Sequence, residues 1–263
     1  MKLYELDRGD SALVVDVPHA GTHVPPAIAG AMDAGDAAAL PDTDWHVEKL
    51  YAFAREAGAT VMVATHSRYV VDLNRDPSGA ALYAGADNTE LVPTRTFDNA
   101  PIWREGRAPD GSAVEARKRE FFTPYHDALA AELARVKATH GHAVLLDAHS
   151  IRSHVPRFFA GKLPDLNLGT ADGASADERL VRLAAGVLAS DSRFTTVLNG
   201  RFKGGWITRH YGRPNDGAHA LQLEIAQSAY MDESPPWPWD PTRAAALEAL
   251  LKRLVTVLSA WRP

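Results

Sequence analysis

The chain has 263 residues, 46% hydrophobic and 23% charged, with 19 Gly, 17 Pro and no Cys. These are globular proportions, which exclude collagen-like, coiled-coil and disordered classes, and the lack of Cys removes thiolate metal sites, cysteine nucleophiles and disulfides. Net charge is −5, with 28 Lys and Arg scattered among 33 Asp and Glu, so no basic face for nucleic acid is expected.

Met1–Asp10 is polar and opens no apolar h-region, and no apolar run approaches the ~20 residues that span a bilayer. The expectation is a cytoplasmic protein without a membrane partner. Ser11–Val17 is a short β-branched run closed by Pro18 and reads as a buried strand. Thr43 or Asp44 is placed to cap a helix to Ala57, with Trp45, Leu50, Phe53 and Ala57 on one stripe and Gly58 at its end. Thr60–Ala64 and Arg68–Leu73 read as strands. Residues 78–111 are rich in Gly, Asn, Asp and Pro and read as a long loop insertion, the kind that forms functional lids.

Ala113–His140 has a helical pattern that Pro124 should kink or restart. His142–Asp147 is a strand, followed by Ala148, His149 and Ser150. A short strand at Asp165–Leu168, a helix at Ala176–Ala189 and strands at Phe194–Leu198 and His219–Ile225 come next. Asp240-Pro241 is an N-cap with Pro at the first helical position, and Leu247, Leu250, Leu251, Leu254, Leu258 and Trp261 form the stripe of the last helix. Strands alternate with helices and several are apolar throughout. The fold class is therefore α/β: one domain, 1–263, with a mixed sheet covered by helices on both faces. In such sheets ligands gather at the carboxyl ends of the strands.

Chemistry-bearing residues collect there. His19 follows the first strand and His149 the fourth, and neutral imidazoles are common ligands of a divalent metal. Asp44 is the chosen third ligand, with His23 as the substitute; each histidine taken alone is more often a hydrogen-bonded structural residue. Asp147, two residues before His149, suits an acceptor that fixes the imidazole tautomer, or a turn residue. Glu224 lies inside the apolar strand Leu221–Ile225. It is either on a solvent-facing side or a general base beside a cation-activated water. Arg75 offers a planar fork for a substrate carboxylate, against the alternative of a surface ion pair. Residues 204–213 form a second polar cluster whose glycines would admit close backbone approach to a ligand, unless it is a flexible hairpin. Trp237 and Trp239 read as a surface brace. No G-x-S-x-G elbow, P-loop, G-x-G-x-x-G or H-E-x-x-H occurs, which weakens serine-hydrolase, nucleotide and common metalloprotease readings.

Val17-Pro18-His19-Ala20-Gly21, Asp42-Thr43-Asp44-Trp45-His46-Val47, Asp72-Leu73-Asn74-Arg75, Leu146-Asp147-Ala148-His149-Ser150, the run from Gly204 to Gly212, and Leu223-Glu224 together resemble the N-formylglutamate amidohydrolase family. The resemblance spans nearly the whole chain in order. It implies metal-dependent hydrolysis of N-formyl-L-glutamate to formate and L-glutamate in histidine degradation, on a fold similar to the zinc carboxypeptidases. The alternatives are deacylation of other N-acyl amino acids and a carboxypeptidase-like activity. The resemblance implies a divalent metal, Zn2+ being the expected ion, held by His19, Asp44 and His149, with Glu224 as base. It implies Asn74 and Arg75 as holders of a small anionic amino-acid substrate, with Thr208 and Tyr211 assisting, and Arg209 or Arg213 as the cation beside the developing oxyanion. Thr22 stands where the carboxypeptidase H-x-x-E pair would have its glutamate, so Asp44 is taken from motif position.

Overall fold

The computed structural model describes residues 1–82, 85 and 87–263. Its strands are β1 (Tyr4–Asp7), β2 (Leu13–Val17), β3 (Thr60–Ala64), β4 (Ala143–Ile151), β5 (Leu166–Gly169), β6 (Thr196–Leu198) and β7 (Ala218–Ala226). Its α-helices are α1 (Pro26–Ala29), α2 (Val47–Leu50), α3 (Gly111–Arg117), α4 (Thr123–His140), α5 (Glu178–Ala189), α6 (Trp206–Tyr211) and α7 (Pro241–Ala260).

The strands form one seven-stranded sheet in the order β1-β3-β2-β4-β7-β5-β6. The central β3, β2, β4 and β7 are mutually parallel, while β1 and β5 pair antiparallel to their neighbours β3 and β7. The expected mixed sheet is thus present, with helices on both faces. Leaving β2 the chain crosses to β3 on one side; leaving β4 it builds the opposite half. The crevice between β2 and β4 is therefore a topological switch point, where such sheets place ligands.

The two faces of the sheet differ. One, carrying Val15, Leu146 and Leu223, is apolar along its length and packs on α5 and α7 through Leu180, Leu247 and Leu251. The other begins apolar, with Val14, Leu145 and Ala220 under Tyr125 and Leu129 of α4. It then turns polar: in register across β2, β4 and β7 come Asp16, Asp147 and Gln222, and two residues on, His149 and Glu224. A strand's period of two keeps these residues on one face. They are buried, so the alternation in β7 separates two interior faces, and its polar side is not solvent-facing.

Several expected elements take a different form. β4 runs through Ile151, so His149 belongs to the strand itself. Arg68–Leu73 is a turn: Val70 N donates to Ser67 O, and the Arg117 guanidinium donates to the carbonyls of Tyr69 and Val70 in place of a strand partner. The helix expected from Thr43 or Asp44 to Ala57 is broken into α2 and a 3-10 turn at Ala52–Ala54. His46 has φ 65°, and its Nε2 is 2.8 Å from the Trp237 carbonyl while Trp45 stacks on Trp237. These contacts draw the start of the segment off the helical path. Trp237 is accordingly a buried brace. Before Pro124 the long helix widens into a π-helical turn at Lys118–Phe122, and α4 restarts with that proline in its first turn. Positions 83, 84 and 86 of the 78–111 insertion lie outside the described residues. Among the described residues no helix is long and apolar enough to cross a membrane.

α7 starts as expected: the Asp240 carboxylate accepts from Thr242 N and Arg243 N ahead of Pro241. Asp240→Ala should lower stability by about 1 kcal/mol through two orphaned amides, read as a lower urea midpoint at unchanged slope. An unchanged midpoint would show that the cap contributes nothing.

Candidate active site

Three buried side chains from separated segments converge at the switch point: His19, just past β2; Asp44, in the connection before α2; and His149, of β4. Each offers a ligand atom, and the three atoms lie within 4.8 Å of one another. Asp44 is tied to the β2 end by its own amide, which donates to His19 O, and its Oδ2 accepts from Ser150 N.

The imidazoles are held by their far nitrogens. His19 Nε2 is 2.8 Å from Asp72 Oδ1, and His149 Nε2 is 2.7 Å from Asp147 Oδ1. With these as N–H donors, both rings carry the lone pair on Nδ1. Both Nδ1 atoms face Asp44 Oδ2, at 3.9 Å for His19 and 3.1 Å for His149. Carboxylates behind ligating histidines are a recurrent feature of metal sites, because they fix the tautomer and raise ligand basicity.

Electrostatics agree with the geometry. Burial, together with Arg68, keeps His19 below its ordinary value against the pull of Asp72 and Asp44. Burial opposes a charge on His149, yet Asp147 and Asp44 hold it well above its ordinary value, so this position favours positive charge. Burial also disfavours ionised Asp44, but His149, His19 and Arg68 keep it low. Asp44 Oδ1 is buried without a hydrogen-bond partner, its nearest cation being Arg68 Nη1 at 3.5 Å. Two imidazole Nδ1 atoms and one carboxylate, with an oxygen that has no hydrogen-bond partner, suit a divalent cation, which can take the place of the positive charge favoured at His149.

Glu224 is the β7 register partner of His149 and lines the same cavity. Its Oε2 accepts from Gln222 Nε2 at 3.3 Å, and Gln222 in turn accepts from Gly205 N. Burial pushes the Glu224 carboxyl up to about 7, with Asp44 and Asp147 adding to the rise and His149 and Arg68 opposing it.

Asn74 and Arg75 also line the cavity. The Asn74 amide donates to Asp147 Oδ2 at 3.3 Å and lies 2.8 Å from His149 Nε2, while its Oδ1 accepts from Ile207 N. Asn74 is therefore engaged in positioning α6 and the Asp147 carboxylate behind His149. Arg75 is braced by Thr89 of the insertion and by Asn74 O. Arg68 bridges Asp72, at 2.7 Å, and Asp44.

The remaining expected residues lie elsewhere. Thr208 is buried under the site, its hydroxyl donating to Asp147 Oδ2 at 3.0 Å, so it orients a carboxylate and does not reach the cavity. Tyr211 is occupied by His126 on the α4 side of the sheet. Arg209 is exposed, with Nε donating to Gly204 O, and Arg213 is exposed beside β7. None of these four lines the cavity. The reason is that residues 206–211 coil into α6 and not a hairpin, so a helical turn carries Arg209 and Tyr211 away from the site. His23 pairs with His66, with ring centroids 4.8 Å apart, and is not in the ligand group.

Arg68, Asp72 and Gln222 are site residues that sequence reading did not single out. Gln222 shares the alternation of Glu224, and Arg68 and Asp72 share an i,i+4 spacing that only a turn brings together. The glycine before α6 also has a different use from the one expected. A Cβ on Gly205 would come within 2.4 Å of the Asn74 amide. The close approach it allows is to Asn74, and Gly205 itself also lines the cavity.

A sequence profile of N-formylglutamate amidohydrolase matches residues 11–231. An N-formylglutamate deformylase of Pseudomonas aeruginosa is 49% identical over 257 residues, covering 97% of this chain and 95% of the relative. One from Pseudomonas putida is 46% identical over 260 residues, covering 99% and 97%. The crystal structure of N-formylglutamate amidohydrolase from Ralstonia eutropha JMP134 superposes with a TM-score of 0.83 at 26% identity, covering 99% of this chain and 98% of that one.

Gly205→Ala should displace Asn74 and with it the Asp147–His149 pair. The expected cost is about 1–3 kcal/mol of stability, as for other overpacked sites. Wild-type stability in a urea titration would show that the Asn74–Gly205 contact is slack.

Proposed function

The chain belongs to the N-formylglutamate amidohydrolase family, and from that membership we propose that it hydrolyses N-formyl-L-glutamate to formate and L-glutamate in the cavity bounded by His19, Asp44, His149 and Glu224. The carrying observation is the convergence of the ligand group with a buried carboxyl raised to about 7 in one cavity. We propose His19, Asp44 and His149 as the holders of a divalent ion, Zn2+ being the ion that two imidazoles and a carboxylate suit. When bound, such an ion supplies Lewis-acid polarisation and acidifies water.

The chain's own residues do the rest. Glu224 takes a proton from the water that attacks the formyl carbon, and delivers it to the glutamate nitrogen as the C–N bond breaks. A carboxyl raised to about 7 is matched to both halves of that task, since it takes and gives a proton near neutral pH. Asp72 and Asp147 hold the two imidazoles in the tautomer that turns Nδ1 inward. Arg75, braced by Thr89, grips a substrate carboxylate. Asn74 keeps Asp147, Arg75 and α6 in place.

Residues 1–263 act as one catalytic unit in this reading. The 78–111 insertion contributes cavity wall through Leu82, Asn88, Thr89 and Phe97. The substrate is a small anionic amino-acid derivative, and a role in histidine degradation and a cytoplasmic location belong to the same proposal.

Formate release from N-formyl-L-glutamate by purified protein, alongside elemental metal content, tests the reading. Glu224→Gln should keep fold and metal while turnover falls at least about a hundred-fold, the scale of losing a general base. Wild-type turnover in that variant would remove Glu224 from the proton path. Asp147→Asn should lower metal affinity about 10–100-fold in a chelator competition. Equal retention of metal by variant and parent would separate Asp147 from the ligand shell.

A further inference from the structure

A glutamate derivative carries two carboxylates, and Arg75 accounts for one. Three arginines line the cavity: Arg68, Arg75 and Arg201. Arg68 is buried against Asp72 and Asp44 and belongs to the ligand shell. Arg201 comes from the connection between β6 and α6, a segment that the family motifs quoted above do not include.

That connection is fixed at both ends. Before Arg201, Asn199 is in the left-handed region at φ 51° and exchanges two hydrogen bonds with Thr170, its Oδ1 accepting from Thr170 N and its Nδ2 donating to Thr170 Oγ1. After it, Gly205 N donates to Gln222 Oε1 at 2.6 Å, beside Glu224. Arg201 itself donates from Nε to Phe158 O at 2.7 Å, and its guanidinium lies against the rings of Phe158 and Phe202, both also cavity walls. A planar fork braced on aromatic rings loses little freedom when it takes a carboxylate in bidentate fashion.

We propose that Arg201 is a specificity-determining residue that recognises the side-chain carboxylate of the substrate, the other carboxylate being held by Arg75. The inference rests on the reading of the cavity as the substrate site. It assigns selection for an acidic side chain over a neutral one of equal size to the β6–α6 connection.

The test compares N-formyl-L-glutamate with N-formyl-L-glutamine, which are of nearly equal size but carry a charged carboxylate and a neutral carboxamide. In Arg201→Gln the ratio of kcat/KM between the two should fall about ten- to a hundred-fold, carried by KM for the acidic substrate. Arg201→Lys should restore part of the ratio. Calorimetric titration of the metal-loaded protein with L-glutamate and L-glutamine gives the same comparison without turnover. If the parent releases no formate while Arg201→Gln still loses affinity for glutamate relative to glutamine, the proposed reaction fails and the Arg201 assignment stands. If the variant weakens both ligands equally, or neither, the assignment is overturned whatever the parent's rate.

Discussion

The structure depends on compensation of buried charge at the carboxyl ends of β2 and β4. Asp16, Asp44, Asp72, Asp147 and Glu224 are all withdrawn from water on one side of a single sheet. Ionised carboxylates are rarely buried unless paired, because the cost of dehydration is large. Here the pairing is distributed. Burial alone would raise Asp72, yet Arg68, Arg75 and His19 hold it well below the usual carboxylate range. Burial, reinforced by Asp147, pushes Asp16 up to about 8, against the Tyr125 hydroxyl that donates to it. His149 lies between Asp147 and Asp44, which favour its charged form. Acidic groups this close require either a proton or a cation among them, and a site for a divalent ion is one outcome of that requirement.

The scaffold around the cluster follows from the same need. Two carboxylates orient two imidazoles, and each carboxylate is itself held: Asp72 by Arg68 and Asn74 N, Asp147 by Asn74 and Thr208. Asn74 thereby connects the turn after β3 to β4 and to α6. Gly205 is what lets α6 approach closely enough for Ile207 N to reach Asn74 Oδ1. Residues 206–211 thus support the site from behind, while Gly205 lines the cavity itself. Functional loops are commonly backed by such packed supports, because an error of an ångström in a catalytic group costs much of its effect.

The cavity has two chemical ends. Its floor is the ligand group and Glu224 on the sheet. Its walls come from connections: Arg75 after β3, Thr89 and Phe97 from the insertion, Phe158 after β4, and Arg201 before α6. The cavity is thus lined by side chains held on or beside the sheet and by side chains carried on connections.

The sheet, its central strands and the last helix were legible in the amino-acid sequence, because apolar β-branched runs and a capped 3.6-residue stripe are local signals. So was the ligand group His19, Asp44 and His149 as a set of candidates, since each sits in a short motif at a strand or helix end. Tertiary structure alone decided which polar residues face the cavity. Thr208, Arg209, Tyr211 and Arg213 are adjacent in sequence to Gly205, yet a helical turn sends them behind or beside the site. Arg68 and Asp72 enter it because a turn, closed by Arg117, replaces a strand. Local propensity cannot report a side chain's direction when distant partners, here Trp237, Arg117 and Gln222, set the backbone path.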